Sequence, residues 1–174
     1  MADIFLISDT HFTHRNILTF LQSNGEKMRP FDTVEEMDEH MIQCWNSVVR
    51  PQDKVYHLGD VALKRKDIAL IQRCNGHKRL VRGNHDIYPT KDYLAAGFEE
   101  IYATRVLDGL IFSHIPIHPE SLGRFGANVH GHVHNNVPAL HFGPRYLNVS
   151  VEVIDYTPVS LDEVKRLVQQ QQSL

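Results

Sequence analysis

Five short apolar runs in this sequence are each followed directly by a side chain that commonly binds metal ions. The residues at these positions, together with two histidines close behind them, are Asp9, His11, Asp60, Asn84, His114, His132 and His134. Ligands of open α/β sheets bind just beyond the carboxyl ends of the strands, so residues far apart in the chain can meet at one edge. The sequence therefore predicts a single metal cluster.

The number and type of these side chains indicate more than one ion. Two carboxylates, one carboxamide and four imidazoles exceed what one tetrahedral ion needs. Two ions close together need a bridging ligand, and a carboxylate can give one oxygen to each, so either Asp9 or Asp60 is the bridge. Nitrogen and oxygen donors without thiolate favour transition metals. We expect two divalent ions, Mn²⁺ as the first choice and Fe, Ni, Co or Zn as alternatives.

The same residues lie in five ordered blocks that resemble those of the calcineurin-like metallophosphoesterase superfamily. The blocks are Asp9-Thr10-His11, Gly59-Asp60, Gly83-Asn84-His85-Asp86, Ser113-His114 and Gly131-His132-Val133-His134. The first block and the residues after it are similar to the small, cap-less bacterial and phage branch. The resemblance implies an α/β fold, a four-layer α-β-β-α sandwich of two mixed sheets flanked by helices.

The resemblance also implies a role for each site residue. One ion would be bound by Asp9, His11 and His134, the other by Asn84, His114 and His132, with Asp60 bridging both. A hydroxide activated by the two ions would attack a phosphodiester or phosphomonoester. His85 would protonate or stabilise the leaving group, and Asp86 would orient the His85 ring. The glycines before Asp60, Asn84 and His132 would let the backbone approach the ions closely.

Four further residues are candidates for contacts with the substrate. His14 and Asn16 follow the first block at a helix start, where a phosphate or a simple capping role could explain them. His118 and Arg124 lie in the loop 115–126 after His114, which we expect to overhang the site. Arg124 would then clamp a phosphate, although an ordinary exposed arginine is the plainer alternative.

Three functions are compatible with these residues. A phosphodiesterase is favoured over a monoesterase because the chain has no room for a cap that would enclose a small monoester. A nuclease on DNA or RNA ends is the alternative within the enzyme class, but the net charge of −3 gives no general attraction for nucleic acid. A non-catalytic metal-binding interaction module is the alternative of another class, and the complete ligand set with His85 speaks against it. The expected partner is a small phosphorylated or nucleotide-like substrate; the oligomeric state stays open.

Apolar runs alternate with stretches of helical period, which is typical of an α/β protein. The predicted strands are 4–7, 54–61, 77–82, 127–130 and 146–154, with a hairpin over 100–113 that turns at Asp108-Gly109. The predicted helices are 14–21, 34–48, 67–74, 92–96 and one that starts after Ser160. Capping boxes begin the second and the last of these helices, at Thr33 and Ser160. The 174 residues predict a single domain, 1–174.

Cysteine content and hydropathy bear on the compartment. Two cysteines, Cys44 and Cys74, cannot form a disulfide framework and suit a reducing environment. The first apolar run is too short for a signal peptide or a membrane span. We therefore expect a cytoplasmic protein without a membrane partner.

Overall fold

The computed structural model describes residues 2–22 and 24–173 and contains two mixed β-sheets flanked by helices. The strands of the first sheet are β1 (Ile4–Ile7), β2 (Lys54–His57), β3 (His77–Val81), β4 (Phe98–Tyr102) and β9 (Val159–Ser160). Their order is β4-β3-β2-β1-β9, with β1 to β4 parallel and β9 antiparallel to β1. The expected fold class is confirmed.

The second sheet has four strands, β5 (Arg105–Leu107), β6 (Leu110–Phe112), β7 (Ala127–His130) and β8 (Tyr146–Asn148), in that order. The hairpin of β5 and β6 is antiparallel, and β6, β7 and β8 are parallel. The helices are α1 (Val34–Val48), α2 (Thr90–Ala95) and α3 (Leu161–Gln172), and 3-10 turns occupy Arg15–Thr19, Arg65–Arg73 and Pro119–Leu122.

Successive side chains of a strand point to opposite faces of its sheet. In both sheets, buried apolar side chains lie on each of the two faces. Leu6 and Tyr56 of the first sheet join Phe112 and Val129 of the second in one buried cluster between the sheets. The opposite face of the first sheet packs against α1, α2 and the turn Arg65–Arg73 in a separate cluster. Burial on both faces near the centre of the first sheet explains why β1 is apolar over its whole length.

Helix α1 follows the sequence prediction closely. The Thr33 hydroxyl accepts a hydrogen bond from the Glu36 N–H at 3.1 Å, as an N-cap does. Met37, Met41 and Trp45, spaced at helical period, are all buried. The helix ends at Val48, before Pro51, which could not continue it.

Several element boundaries differ from the prediction. The predicted helix 14–21 is only the 3-10 turn Arg15–Thr19, and the hydroxyl of the preceding Thr13 donates to the Asp67 carboxylate. The predicted strand 54–61 ends at His57. In place of the predicted helix 67–74, the structure has the 3-10 turn Arg65–Arg73. The predicted hairpin 100–113 is limited to Arg105–Leu107 and Leu110–Phe112, since Phe98–Tyr102 pairs with the first sheet. The strand predicted over 146–154 stops at Asn148.

The two sheets meet where their parallel strands end. The Ser8 N–H donates to the Val149 carbonyl at 2.9 Å, and the Val149 N–H donates to the His130 carbonyl at 2.8 Å. The segment after β8 thus joins the ends of β1 and β7.

Within the residues described, no helix combines the length and apolarity that a membrane span requires.

Candidate metal centre

The loops after β1, β2, β3, β6 and β7 bring the seven predicted metal ligands to this edge. Backbone hydrogen bonds connect the loops directly: the Asp9 N–H donates to the Gly59 carbonyl at 2.9 Å, and the His11 N–H to the Asp60 carbonyl at 3.0 Å. The His132 N–H donates to Asp9 Oδ2, also at 2.9 Å. The convergence therefore rests on the backbone as well as on the side chains.

One group of possible ligand atoms consists of Asp9, His11 and His134. Asp9 Oδ1 lies 3.9 Å from His11 Nε2 and 3.8 Å from His134 Nε2. Asp9 Oδ1 is buried and accepts no hydrogen bond from the residues described. A buried carboxylate oxygen costs free energy when nothing satisfies it, and a cation held between it and two imidazole nitrogens would do so.

The second group is formed by Asp9, Asp60 and His114. Asp60 Oδ2 lies 3.4 Å from His114 Nε2 and 3.6 Å from His11 Nε2, so this oxygen faces both groups. Asp9 and Asp60, the two carboxylates considered as the bridge, therefore both lie between the imidazoles of the first group and that of the second.

The remaining predicted ligands adjoin the second group. His114 Nε2 is 2.8 Å from Asn84 Oδ1 and 3.2 Å from His132 Nδ1. His114 Nδ1 is 2.8 Å from the Leu58 carbonyl. Because a carbonyl can only accept, Nδ1 carries a proton, and Nε2 faces the oxygens of Asn84 and Asp60, where a bound cation would replace a second proton.

At Asp60 and His11 the electrostatics favour metal-binding protonation states, whereas at His114 and His134 the neighbouring carboxylates outweigh burial and raise the imidazole pKa. Burial alone would raise the pKa of Asp60, but the hydrogen bond and charge of His114 and the charge of His11 outweigh it and lower the pKa to about 2. Burial and the charge of Arg29 hold the pKa of His11 well below its usual value. An ionised carboxylate and a neutral imidazole are the forms that coordinate metals.

The backbone of the group is strained. Asp9, His11, Asp60, His132 and His134 all adopt left-handed conformations, with φ of 61°, 47°, 58°, 71° and 50°. Such a conformation costs about 1–3 kcal/mol per residue and persists only where the surrounding structure enforces it. These five are the majority of the nine non-glycine residues with positive φ among those described. Concentrated strain of this kind is typical of functional sites.

Glycines before the ligands are required for steric reasons. A Cβ atom on Gly83 would overlap Asp60 Oδ1, and a Cβ atom on Gly131 would overlap Asp9 Oδ2 and the Ser8 hydroxyl. Both positions therefore leave room for a carboxylate of the group.

A buried ion pair behind the group was not anticipated from the sequence. Glu152 Oε1 accepts a hydrogen bond from Arg29 Nε at 2.7 Å and lies 3.0 Å from His134 Nδ1. Arg29 is fully buried, and its other nitrogens donate to the carbonyls of Asp9 and Thr10 at 2.5 and 2.7 Å. Burial raises the pKa of Glu152, but Arg29 and His134 outweigh it and lower the pKa to about 2.

A pattern of alternating polar residues that begins at the end of β8 could have revealed part of the hydrogen bonding behind the group. Asn148, Ser150 and Glu152 alternate with apolar residues, and all three contact the group. Asn148 Nδ2 donates to the His134 carbonyl at 2.6 Å, and the Ser150 hydroxyl donates to Asp9 Oδ2 at 2.9 Å. Arg29 has no comparable signal, because nothing in its neighbourhood in the sequence distinguishes it from a surface arginine.

Two histidines without a predicted ligand role border the group. The rings of His85 and His14 lie 5.7 and 5.8 Å from the His11 ring, centroid to centroid. His85 is exposed, and its backbone N–H donates to Asp60 Oδ1 at 2.8 Å. Burial, followed by the charge of Arg29, lowers the pKa of His14. His85 is thus free to meet a ligand from solvent while its backbone is fixed to Asp60.

The orienting role expected for Asp86 requires a correction. Its buried carboxylate accepts hydrogen bonds from the N–H groups of Asp60, Gly83 and Val61 at 2.8, 2.8 and 3.1 Å. No hydrogen bond between Asp86 and the His85 ring is present in the described part of the chain. Asp86 instead fastens the loop after β3 to the loop after β2.

The expected substrate contacts are only partly near the group. Asn16 lines a charged groove with Thr13 and Asp67, and none of the seven candidate metal ligands lines that groove. The His118 ring turns back to accept from the Glu120 N–H at 3.3 Å. Arg124 is exposed and lies near Gly126, whose N–H donates to the Gly109 carbonyl at the opposite end of the second sheet. The loop 115–126 thus leads away from the site, and the phosphate clamp expected of Arg124 is not supported.

Comparison with known proteins gives a clear relative whose function is not known. No family model matches the chain. The uncharacterized protein MJ1445 of Methanocaldococcus jannaschii is 38% identical over 179 residues, which cover 97% of this chain and 93% of that protein. A solved structure of a protein of unknown function from Aquifex aeolicus, AQ665, aligns with a TM-score of 0.73 and 28% identity over 96% of this chain and all of the other.

Two solved structures with described activities are more distant. An archaeal phosphodiesterase aligns with a TM-score of 0.48 at 19% identity, covering 86% of this chain and 82% of its own. The nuclease MPE of Pseudomonas putida aligns with a TM-score of 0.47 at 19% identity, covering 75% of this chain and 60% of its own.

Proposed function

This chain belongs to the same family as the uncharacterized protein MJ1445 of Methanocaldococcus jannaschii, and we propose that it is a metal-dependent phosphoesterase of the calcineurin-like superfamily. Its preferred substrate class is a phosphodiester, with monoesters as poorer substrates. The observation that carries the proposal is the position of Asp60 Oδ2, within 3.6 Å of imidazole nitrogens from both groups.

The donor set supports a pair of divalent ions. Asp9, His11 and His134 would hold one ion, and Asn84, His114 and His132 would hold the other. Asp60 would be shared, because its Oδ2 faces both sets. When bound, the two ions would supply Lewis-acid charge and a hydroxide nucleophile at neutral pH. The mixture of imidazole and oxygen donors supports Mn²⁺ or another transition metal over Ca²⁺.

The residues bordering the group would act on the ester. His85 is exposed, adjoins His11 and could donate a proton to the leaving oxygen in the role of a general acid. His14 approaches His11 from another side and could contact a phosphoryl oxygen. Asp86 would act indirectly, by holding the backbone on which Asp60 and His85 are carried.

A groove beside the second group supports a diester over a monoester. It has a volume of about 350 Å³ and is lined by Asn84, His114 and the apolar side chains of Ile115 and Ile117. A monoester has only one organic arm, whereas a diester carries a second arm that such a groove could bind. The net charge of −3 gives less support to a nuclease, whose polyanionic substrate requires local positive charge.

Hydrolysis of bis-p-nitrophenyl phosphate and p-nitrophenyl phosphate tests the proposal. The chain is first freed of metal with a chelator, and Mn²⁺ is then added back. We expect turnover that depends on the metal, is faster with the diester and falls at least about a hundredfold in Asp60→Asn. Asp162→Asn, an exposed aspartate in the first turn of α3, is the matched control and should keep full activity.

A variant of His85 separates chemistry from metal binding. His85→Ala should bind metal normally but lose rate, and the loss should be greater with poorer leaving groups because they need protonation most. Turnover that survives both chelation and Asp60→Asn would contradict the proposal. Absence of turnover with metal bound would favour the non-catalytic interaction module.

A further inference from the structure

A partly enclosed cavity lies behind the segment that carries His132 and His134. Its volume is about 240 Å³, and it is formed by β7, β8, the segment 133–142 and the last turn of α3. The metal-binding side chains do not line it. Val133 and Asn135, which alternate with His132 and His134 along the chain, do. The cavity and the candidate metal centre thus lie on opposite sides of one segment.

The walls of this cavity are mainly apolar. The apolar lining residues include Val137, Pro138, Phe142, Leu147 and Val153. The Phe142 ring meets the buried His130 ring edge to face at 5.7 Å. A flat ring that enters the cavity would therefore contact aliphatic and aromatic surface.

Two side-chain oxygens of lining residues lack a donor, and one ring nitrogen of a lining histidine is left as an acceptor. Asn135 Oδ1 and Gln171 Oε1 are buried and accept no hydrogen bond from the residues described. His130 Nδ1 lies 2.9 Å from the Gly131 carbonyl, so Nδ1 carries the proton and Nε2 is an acceptor. Buried acceptors without a partner are uncommon and point to a missing group. The group that would satisfy these three must carry N–H or O–H donors.

The size of the cavity limits the ligand. An apolar cavity of about 150 Å³ accommodates benzene, so about 240 Å³ leaves room for a ring system of one or two fused rings. We propose that this cavity binds a planar heteroaromatic ring bearing amino N–H donors, of the size of a single nucleobase. Asn148 lines the cavity and also donates to the His134 carbonyl at 2.6 Å, so the ligand would contact a residue that supports the metal centre.

Calorimetric titration of the full chain, without added metal, tests this site. The probes are adenine, purine as the same ring without the exocyclic amine, and toluene as a ring without N–H. We expect adenine to bind most tightly and toluene most weakly. Gln171→Met removes one acceptor at similar side-chain length and should weaken adenine about tenfold. Gln169→Met, an exposed position on the same helix, should leave adenine binding unchanged.

Amide chemical-shift mapping locates the binding. The changes should fall on residues 130–148 and the last turn of α3. Toluene binding as tightly as adenine would overturn the proposal, because it would mean a cavity without polar selectivity. Equal adenine affinity in Gln171→Met, shifts confined to other surfaces, or no adenine binding at millimolar concentration would overturn it as well, since water alone would then satisfy the acceptors.

Discussion

At the scale of single residues, the candidate metal centre has two features that the fold alone does not explain. Asp9 Oδ1 is buried and unsatisfied, and the backbone at His11 and His134 is held in a strained conformation. Neither feature stabilises the fold by itself. Both are explained if the residues were selected to bind cations, whose attraction for the carboxylate and imidazole groups would offset the cost.

Replacement of Glu152 tests whether the contacts behind the candidate metal centre contribute to metal affinity. Its carboxylate fixes the Nδ1 proton of His134, which leaves Nε2 for a metal ion, and it neutralises the buried Arg29. We expect Glu152→Gln to weaken Mn²⁺ binding about 10- to 100-fold in calorimetric titration. Leaving the Arg29 charge unpaired should also lower the free energy of unfolding by about 3 kcal/mol.

The control for this prediction is Glu120→Gln, in the exposed turn Pro119–Leu122. It should change neither the metal affinity nor the urea midpoint. Wild-type Mn²⁺ affinity in Glu152→Gln would show that His134 does not need this partner and would remove Glu152 from the site.

At the scale of elements, the sequence predicted the strands better than the points at which they end. Strands are predicted over the ranges that contain β1, β2, β3 and β7, and each is a strand in the structure. The residues after His57 continue the apolar run but leave the sheet, because the Leu58 carbonyl and the Asp60 N–H bond with other loops instead of with a strand. Such competition is a tertiary effect that local patterns do not contain.

The prediction of helix α1, which the structure confirms, can be tested at its cap. Thr33→Ala removes the acceptor for the Glu36 N–H at the start of α1 and should lower the free energy of unfolding by about 1 kcal/mol in urea titration. Thr33→Ser keeps the hydroxyl oxygen and should retain most of the stability. If serine destabilises the protein as much as alanine does, the cap does not contribute.

At the scale of the whole molecule, the fold class and the convergence of the candidate ligands were accessible from the sequence, whereas the buried polar contacts behind them were not. The ligands follow strand ends, and parallel strands bring their ends together whatever the intervening chain does. Arg29 and Glu152 are 123 positions apart, and only the packing of the two sheets brings them together. The position of Arg124 is likewise a long-range property, since local order along the loop does not reveal the direction in which the loop runs.

Stability at low pH reports on the hydrogen bonds that join Asp53 to Arg50 and to Asp3. Buried Asp53 accepts hydrogen bonds from Arg50 side-chain and backbone groups and from the Asp3 N–H, which lower its pKa to about 2 from an ordinary value near 3.8. A carboxylate with a depressed pKa stabilises the fold above its unfolded-state pKa and loses this effect as pH falls towards its folded-state pKa. The stability advantage of wild type over Asp53→Asn should therefore be full at pH 6 and shrink from about pH 4 towards pH 2.

Urea titrations of both proteins at several pH values between 6 and 3 measure this difference. Comparing the two cancels the contributions of other acidic groups, such as Asp60 and Glu152, which also titrate in acid. An advantage that stays constant across this range would contradict the assignment.

The most direct test of the central claim is the number of ions that each chain binds. Titration of the metal-free chain with Mn²⁺, followed by calorimetry and native mass spectrometry, should give two ions per chain for the wild type and fewer for Asp60→Asn, in which the shared oxygen is changed. Asp162→Asn should bind like the wild type. A single ion in the wild type, or two ions bound with unchanged affinity by Asp60→Asn, would contradict a metal pair bridged by Asp60.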